Sequence, residues 1–298
     1  MSAAEITDPY DITVASNRLG RRRRTEKLVG LLALLSALFA VALLALVLGT
    51  VLFKGVSQLS LDFFTKSSAL FGQTGGIADA LVGSAIMVGM AALMAVPIAI
   101  LVAIYIAEYA GPKAASFFRV MLDVLNGVPA IIIGIFIYGI LVVGNGQSAV
   151  YGAMALAILM IPMVARATQE VLELVPRHLR EASLALGVPR WRTVYSIVLP
   201  TAIGGILTGV VIAVARVAGE TAPLLFTSSI VTTSGVSVDV HQALATLPVR
   251  IFTLSESPSP DDQAAAWAAA LVLIAFVLVM NVLAKYFAGR KRRSLEGR

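Results

Sequence analysis

Cysteine is absent from the 298 residues, so neither disulfides nor thiolate metal sites are available. Charge is scarce: 13% of residues are Asp, Glu, Lys or Arg, where a soluble domain carries about 25%. Only two histidines occur, His178 and His241. They lie far apart in polar stretches and read as surface residues rather than metal ligands. There is no G-x-x-x-x-G-K-[ST] loop, so the chain brings no phosphate-binding loop for a nucleotide. H-E-x-x-H and G-x-S-x-G are missing too, which removes the motif-based case for hydrolase chemistry.

What is present is hydrophobicity, 58% of the residues, with a mean hydropathy of +0.90. A water-soluble fold cannot hide that much apolar surface, so the chain is expected to be an all-α integral membrane protein. Spans are expected at about Leu28–Phe53, Leu81–Ala107, Val124–Val143, Ala149–Ala165, Leu199–Ala218 and Ala266–Phe287. Pro97 and Pro162 fall inside the second and fourth. Gly127 and Pro129, in NGVPAIIIG, predict a broken or bent start to the third. The first span is too long for the apolar core of a cleaved leader and reads as a retained anchor.

Six spans put both termini on one side of the membrane, and the charges agree. The net charge is +6, concentrated in RLGRRRR (18–24) and GRKRR (289–293). Lys113, Arg119, Arg166, Arg177, Arg180, Arg190 and Arg192 fall in loops on the same side as those tails. Lys54, Lys66 and Arg250 fall opposite. The positive-inside rule then places both termini in the cytoplasm. The basic clusters read as topological anchors in contact with lipid, not as a nucleic-acid surface. The expected organisation is a basic tail (1–27), a six-helix domain (28–287) and a second basic tail (288–298).

Two stretches stand out. In VARVAGETAPLL (214–225), Arg216 and Glu220 are spaced i, i+4 and follow Gly205, Gly209 and Ala213 at the same spacing. On a continuous helix all five share one face, so the two charges can bridge and should face a helix interface or cavity rather than lipid. An unpaired arginine at mid-bilayer costs about 2.5–3.5 kcal/mol on insertion scales. An interface salt bridge and a substrate pathway are both compatible with this pattern.

The other stretch is EASLALGVPRWRTVYSIVLP (181–200), on the cytoplasmic side. It predicts a short helix with Glu181 early and Gly187 as its stop, then a second helix begun by Pro189 and continuous with the fifth span. Such a projecting helix–turn–helix suits a partner's groove. The external segment 219–265 carries the acidic turn-rich SESPSPDD (255–262). Within it SIVTTSGVSVDV shows no decisive periodicity, and HQALATLPVRIF (241–252) suggests a short re-entrant or surface helix.

The cytoplasmic stretch resembles the EAA loop of bacterial ABC importer permeases: Glu181, Ala182, Gly187, Ile197, Leu199 and Pro200 match in type and spacing, and Ser183 replaces an alanine. ARVAGETAPLLFT (215–227), NGVPAIIIG (126–134) and AWAAALVL (266–273) narrow the resemblance, which covers about residues 80–287, to the PstA-type permeases of phosphate importers. It implies a type I ABC importer permease fold with a cytoplasmic coupling helix, in a bacterial plasma membrane. Glu181, Ala182 and Gly187 would engage the ATPase, while Arg216 and Glu220 would line the substrate pathway. The glutamate would temper the arginine's hold on the anion and accept a hydrogen bond from hydrogen phosphate. The implied partners are a sister permease, an ATPase dimer and an extracytoplasmic phosphate-binding protein. No cofactor is expected on this chain, since ATP and Mg would be used by the ATPase. A permease for another oxyanion, an ATP-independent secondary transporter and a phosphate-signalling scaffold are the alternatives.

Overall fold

The structure, a computed structural model, describes residues 12–67, 75–231 and 235–296. The first eleven residues of the N-terminal tail, the last two of the C-terminal tail and residues 232–234 of the external segment lie outside them. The chain divides into two units, residues 1–53 and 54–298. All regular structure among the described residues is helical.

The first unit is dominated by α1 (Ile12–Val56), whose apolar stretch is hydrophobic on every side. Its leucines have no core of their own to enter, which is the pattern of a helix solvated by lipid.

In the second unit, α2 (Leu61–Thr65) precedes α3 (Ala78–Ile104), which runs into a π-helical turn at Tyr105–Tyr109. Then come α4 (Pro112–Gly127), α5 (Ala130–Ile137, extended by a π turn to Val142) and α6 (Ala149–Glu173). A helical hairpin follows, formed by α7 (Arg177–Ala185) and α8 (Arg190–Thr193). A third π turn, Val194–Val198, leads into α9 (Leu199–Val217). The remaining helices are α10 (Ala222–Thr227), α11 (Leu247–Ser255) and α12 (Pro260–Glu296).

Among the described residues five helices are long and apolar enough to cross a membrane, and there are six if the α4–α5 pair, bent by 90°, is counted as one span. α5 and its π turn, Ala130–Val142, fall within the expected third span, and α4 meets them nearly at a right angle. The bend falls where Gly127 and Pro129 predicted it. Val128 precedes proline and is held extended at φ −68°, ψ 126°, so the helix cannot run through. α3 and α6 continue through Pro97 and Pro162, and α6 extends two turns beyond its expected end.

The core centres on α3 against α6, with α9 packed on α6 and sharing its buried clusters with α3, and with α12 against α9. Ala91, Ala95, Ala99 and Ala103 recur every fourth residue along α3 and are fully buried. They form a small-residue seam that lets the backbones approach closely. Gly205 and Gly209 do the same where α9 crosses α6. A Cβ at Gly209 would lie 2.7 Å from Ala167 Cβ, and one at Gly205 2.6 Å from a Val171 methyl. The small stripe on the fifth span thus packs on protein, as its spacing implies. Overpacking of this kind costs about 1–3 kcal/mol. Gly209→Leu is accordingly expected to lower the melting temperature of the solubilised protein by several degrees. An unchanged melting curve would mean that α6 and α9 do not meet at this point.

After α10 the chain is tied back to the start of α6, where Ala149 and Val150 donate their N–H groups to Gln242 O (2.8 Å) and Val240 O (3.2 Å). Ser228 Oγ donates to Leu244 O (3.1 Å) and accepts from Leu244 N (3.0 Å). The Gln147 carboxamide accepts from the N–H groups of Ser229 and Ile230 at 2.8 and 2.7 Å. The helix expected within 241–252 is α11, displaced to Leu247–Ser255. Its first N–H donates to Ser84 Oγ at 2.8 Å. Arg250 on α11 is pushed below the usual arginine range by burial, which outweighs the neighbouring Asp79 and Asp262 carboxylates.

Candidate functional site in the fifth span and the hairpin before it

Arg216 lies in the last turn of α9, which ends at Val217. Gly219 and Glu220 each donate their N–H three residues back, to Arg216 O and Val217 O, both at 3.1 Å. These are the tightened bonds of a terminating turn. The stop has a cause in the sequence. Pro223 lacks an N–H, and its ring would collide with the carbonyl of residue 219 if the helix ran on. Pro223 instead sits in the first turn of a new helix, α10, where its missing donor costs nothing.

The helix therefore does not persist to Glu220, the condition on which a bridge between Arg216 and Glu220 depends. Glu220 lies beyond the helix, half-buried in the turn, while Arg216 is exposed. Among the described residues neither forms an ion pair. The i, i+4 rule requires an unbroken helix, and Pro223 was the signal that this one breaks.

That turn is held in place by the other distinctive segment. A Cβ at Gly134 would fall 2.6 Å from Pro223 Cα, so α5 and α10 touch backbone to backbone. Tyr138 and Phe226 meet edge to face with centroids 6.3 Å apart. NGVPAIIIG and GETAPLLF are therefore one structural unit: the bent crossing carries the α9–α10 break on its second half.

In the hairpin before the fifth span, α7 begins at Arg177, so Glu181 sits mid-helix rather than early. Gly187 ends the helix as expected, with φ +74°. Val188 N–H donates to Ser183 O (3.2 Å) and Gly187 N–H to Leu184 O (2.9 Å), the pair of bonds that closes a Schellman cap. Pro189 precedes α8 as its cap rather than as its first residue. Ser183, the departure from the alanine pattern, is buried and hydrogen-bonded to Thr193 Oγ1 at 2.9 Å. It pins the two arms of the hairpin together. Glu181 and Ala182 face outward, beside an apolar surface made by Leu184, Leu186 (83% exposed), Trp191 (64%) and Tyr195 (72%).

Three interhelical ion pairs escaped the sequence reading, which placed their arginines in loops. Arg166 Nε meets Asp123 Oδ1 at 3.0 Å and Arg119 meets Glu173 at 2.7 Å, both tying α4 to α6. Arg180 meets Glu108 at 2.7 Å. Their partners are 43 to 72 positions away, a separation that no local pattern reports. No group of three or more His, Cys, Asp or Glu that could hold a metal occurs among the described residues.

Residues 95–293 match the family described as binding-protein-dependent transport system inner membrane component. The phosphate transport system permease protein PstA of Pasteurella multocida is 39% identical over 274 residues, 91% of this chain and 97% of that protein. PstA of Haemophilus influenzae is 40% identical over 273 residues, 91% of this chain and 96% of that protein. In fold, the chain is similar to a subunit of a bacterial ABC transporter involved in import of the acidic polysaccharide alginate. The TM-score is 0.65 at 14% identity, covering 92% of this chain and 99% of the other. A near-full-length match to the curated permeases, together with a shared fold, means that the chain belongs to the binding-protein-dependent inner membrane transport family and, within it, to the PstA-type permeases.

Proposed function

We propose that this multi-pass inner-membrane chain is a permease subunit of an ATP-driven phosphate importer, with transport rather than catalysis as its work. The observation that carries the reading is the 39–40% identity to PstA permeases over nine-tenths of the chain. The geometry fits it. The hairpin of α7 and α8 offers Glu181, Ala182 and a rigid Gly187 turn to an ATPase subunit, with apolar side chains around them. It continues through a π turn directly into α9, which carries Arg216 in its last turn. Movement of the hairpin when ATPase subunits close is thus transmitted along one helix to the cation at its far end.

In this reading Arg216 attracts the anion and Glu220 limits how tightly it is held, because an uncompensated cation in low dielectric becomes a trap. The exposed Arg216 then faces a passage shared with a sister permease. An extracytoplasmic phosphate-binding protein delivers the substrate, and ATP with Mg is used by an ATPase dimer. Both termini are cytoplasmic, in keeping with the basic tails. This chain itself carries no cofactor.

The test is ATP hydrolysis by the complex reconstituted with its sister, ATPase pair and binding protein. Phosphate is expected to stimulate hydrolysis and sulfate is not. Equal stimulation by sulfate would favour a broader oxyanion permease, and uptake that persists without ATP would favour a secondary transporter.

A further inference from the structure

The side chain just before the outward-facing Glu181 turns inward. Arg180 Nε lies 3.0 and 3.2 Å from Glu108 Oε1 and Oε2, and its Nη2 lies 2.7 Å from Oε1. Nη2 also donates to Leu172 O at 2.8 Å, and Nη1 donates to Val175 O. One guanidinium therefore joins three elements: α7, the end of α6 and the link after it through the carbonyls of Leu172 and Val175, and the π turn that continues α3.

This pair is unlike the other ion pairs. Its side chains are 19% and 7% exposed, against 31–70% for the rest. Solvent-exposed pairs contribute little, whereas a desolvated, forked pair holds its partners in one geometry. Glu108 also sits inside a π-helical turn, Tyr105–Tyr109, which ends with Ala110 N–H bonded to Tyr105 O. A second π turn, Val194–Val198, joins α8 to α9. Such turns are common at functional sites and mark where a helix departs from regular geometry. The hairpin is thus attached to α9 through the chain and to α3 through Arg180, with a π turn at each attachment. Buried Leu172, Val175, Val198 and Ala103 fill the space between.

We propose that Arg180 and Glu108 are positioning residues for energy coupling: they make α3 move with the hairpin, so that ATPase closure displaces two core helices rather than one. This rests on the ATPase-coupled reading above. The wider consequence is that α9 alone is not enough, because α3 forms the main face of the core.

The test is phosphate imported per ATP hydrolysed in proteoliposomes holding the full complex, for Glu108→Gln and Arg180→Lys. Lysine keeps the charge but cannot span both carboxylate oxygens and two carbonyls. Both variants are expected to assemble and hydrolyse ATP, with the ratio falling at least about fivefold, the low end of couplings between sites. An unchanged ratio in either assembled variant overturns the proposal. So does a loss of uptake that only follows a loss of assembled complex, or failure of both variants to assemble, since the pair would then be a structural brace. If the unmodified complex responds to a different oxyanion, the functional reading fails, but the same ratio measured with that anion still decides the pair's role.

Discussion

Replacing Arg216 with glutamine is expected to lower phosphate uptake about a hundredfold while leaving the complex assembled, since truncating one partner of a desolvated charge contact costs about 2–5 kcal/mol. The residue ends an apolar helix, is exposed on its own chain and has no carboxylate partner among the described residues. An arginine costs about 2.5–3.5 kcal/mol at mid-bilayer and less toward the end of a span, where Arg216 lies. Glutamine carries no charge, so insertion should be no worse. What it removes as well is the only fixed positive charge on α9 beyond Pro200. Arg216→Lys should be intermediate, because an ammonium attracts an anion but lacks the planar fork. Radiolabelled phosphate uptake, with co-purification of the partner subunits as the control, is the measurement. Wild-type uptake by the assembled glutamine variant would remove Arg216 from the pathway.

Gly187→Val should abolish phosphate-stimulated ATP hydrolysis, by at least about tenfold, through backbone conformation alone. At φ +74° an L-residue with a Cβ is penalised by about 1–2 kcal/mol, and a β-branched one by more. No neighbouring atom lies within 4 Å of a Cβ built there, so crowding is not the cause. A graded series follows: asparagine, which tolerates the left-handed region, should retain most of the stimulated rate, alanine less, and valine almost none. The hairpin turn would be redirected in the failing variants, carrying Glu181 and Ala182 off their docking position. If valine and asparagine behave alike, the turn's conformation does not matter for coupling.

Much of this organisation was legible in the chain. Hydropathy and basic residues found the crossings, Gly127 and Pro129 located the bend, and Gly187 located the end of α7. These signals are local: a proline or glycine acts on its own few backbone angles wherever the chain goes. The failures had a different origin. The i, i+4 spacing of Arg216 and Glu220 left a bridge open, because Pro223 was not followed back to the carbonyl it excludes. Ser183 looked like a minor departure from alanine, yet its hydroxyl closes the hairpin on Thr193.

By itself, the sequence determined that the protein lives in lipid, where it bends, which segment forms the helical hairpin before the fifth span and which cation stands in that span. Tertiary structure alone decided which charges meet. Arg166 with Asp123, Arg119 with Glu173 and Arg180 with Glu108 join elements far apart in the chain. It also decided that the two distinctive segments around Gly134 and Pro223 are one unit. The reason is physical: burial and helix geometry are governed by neighbours within a few residues, whereas an ion pair or a backbone contact depends on where distant helices cross.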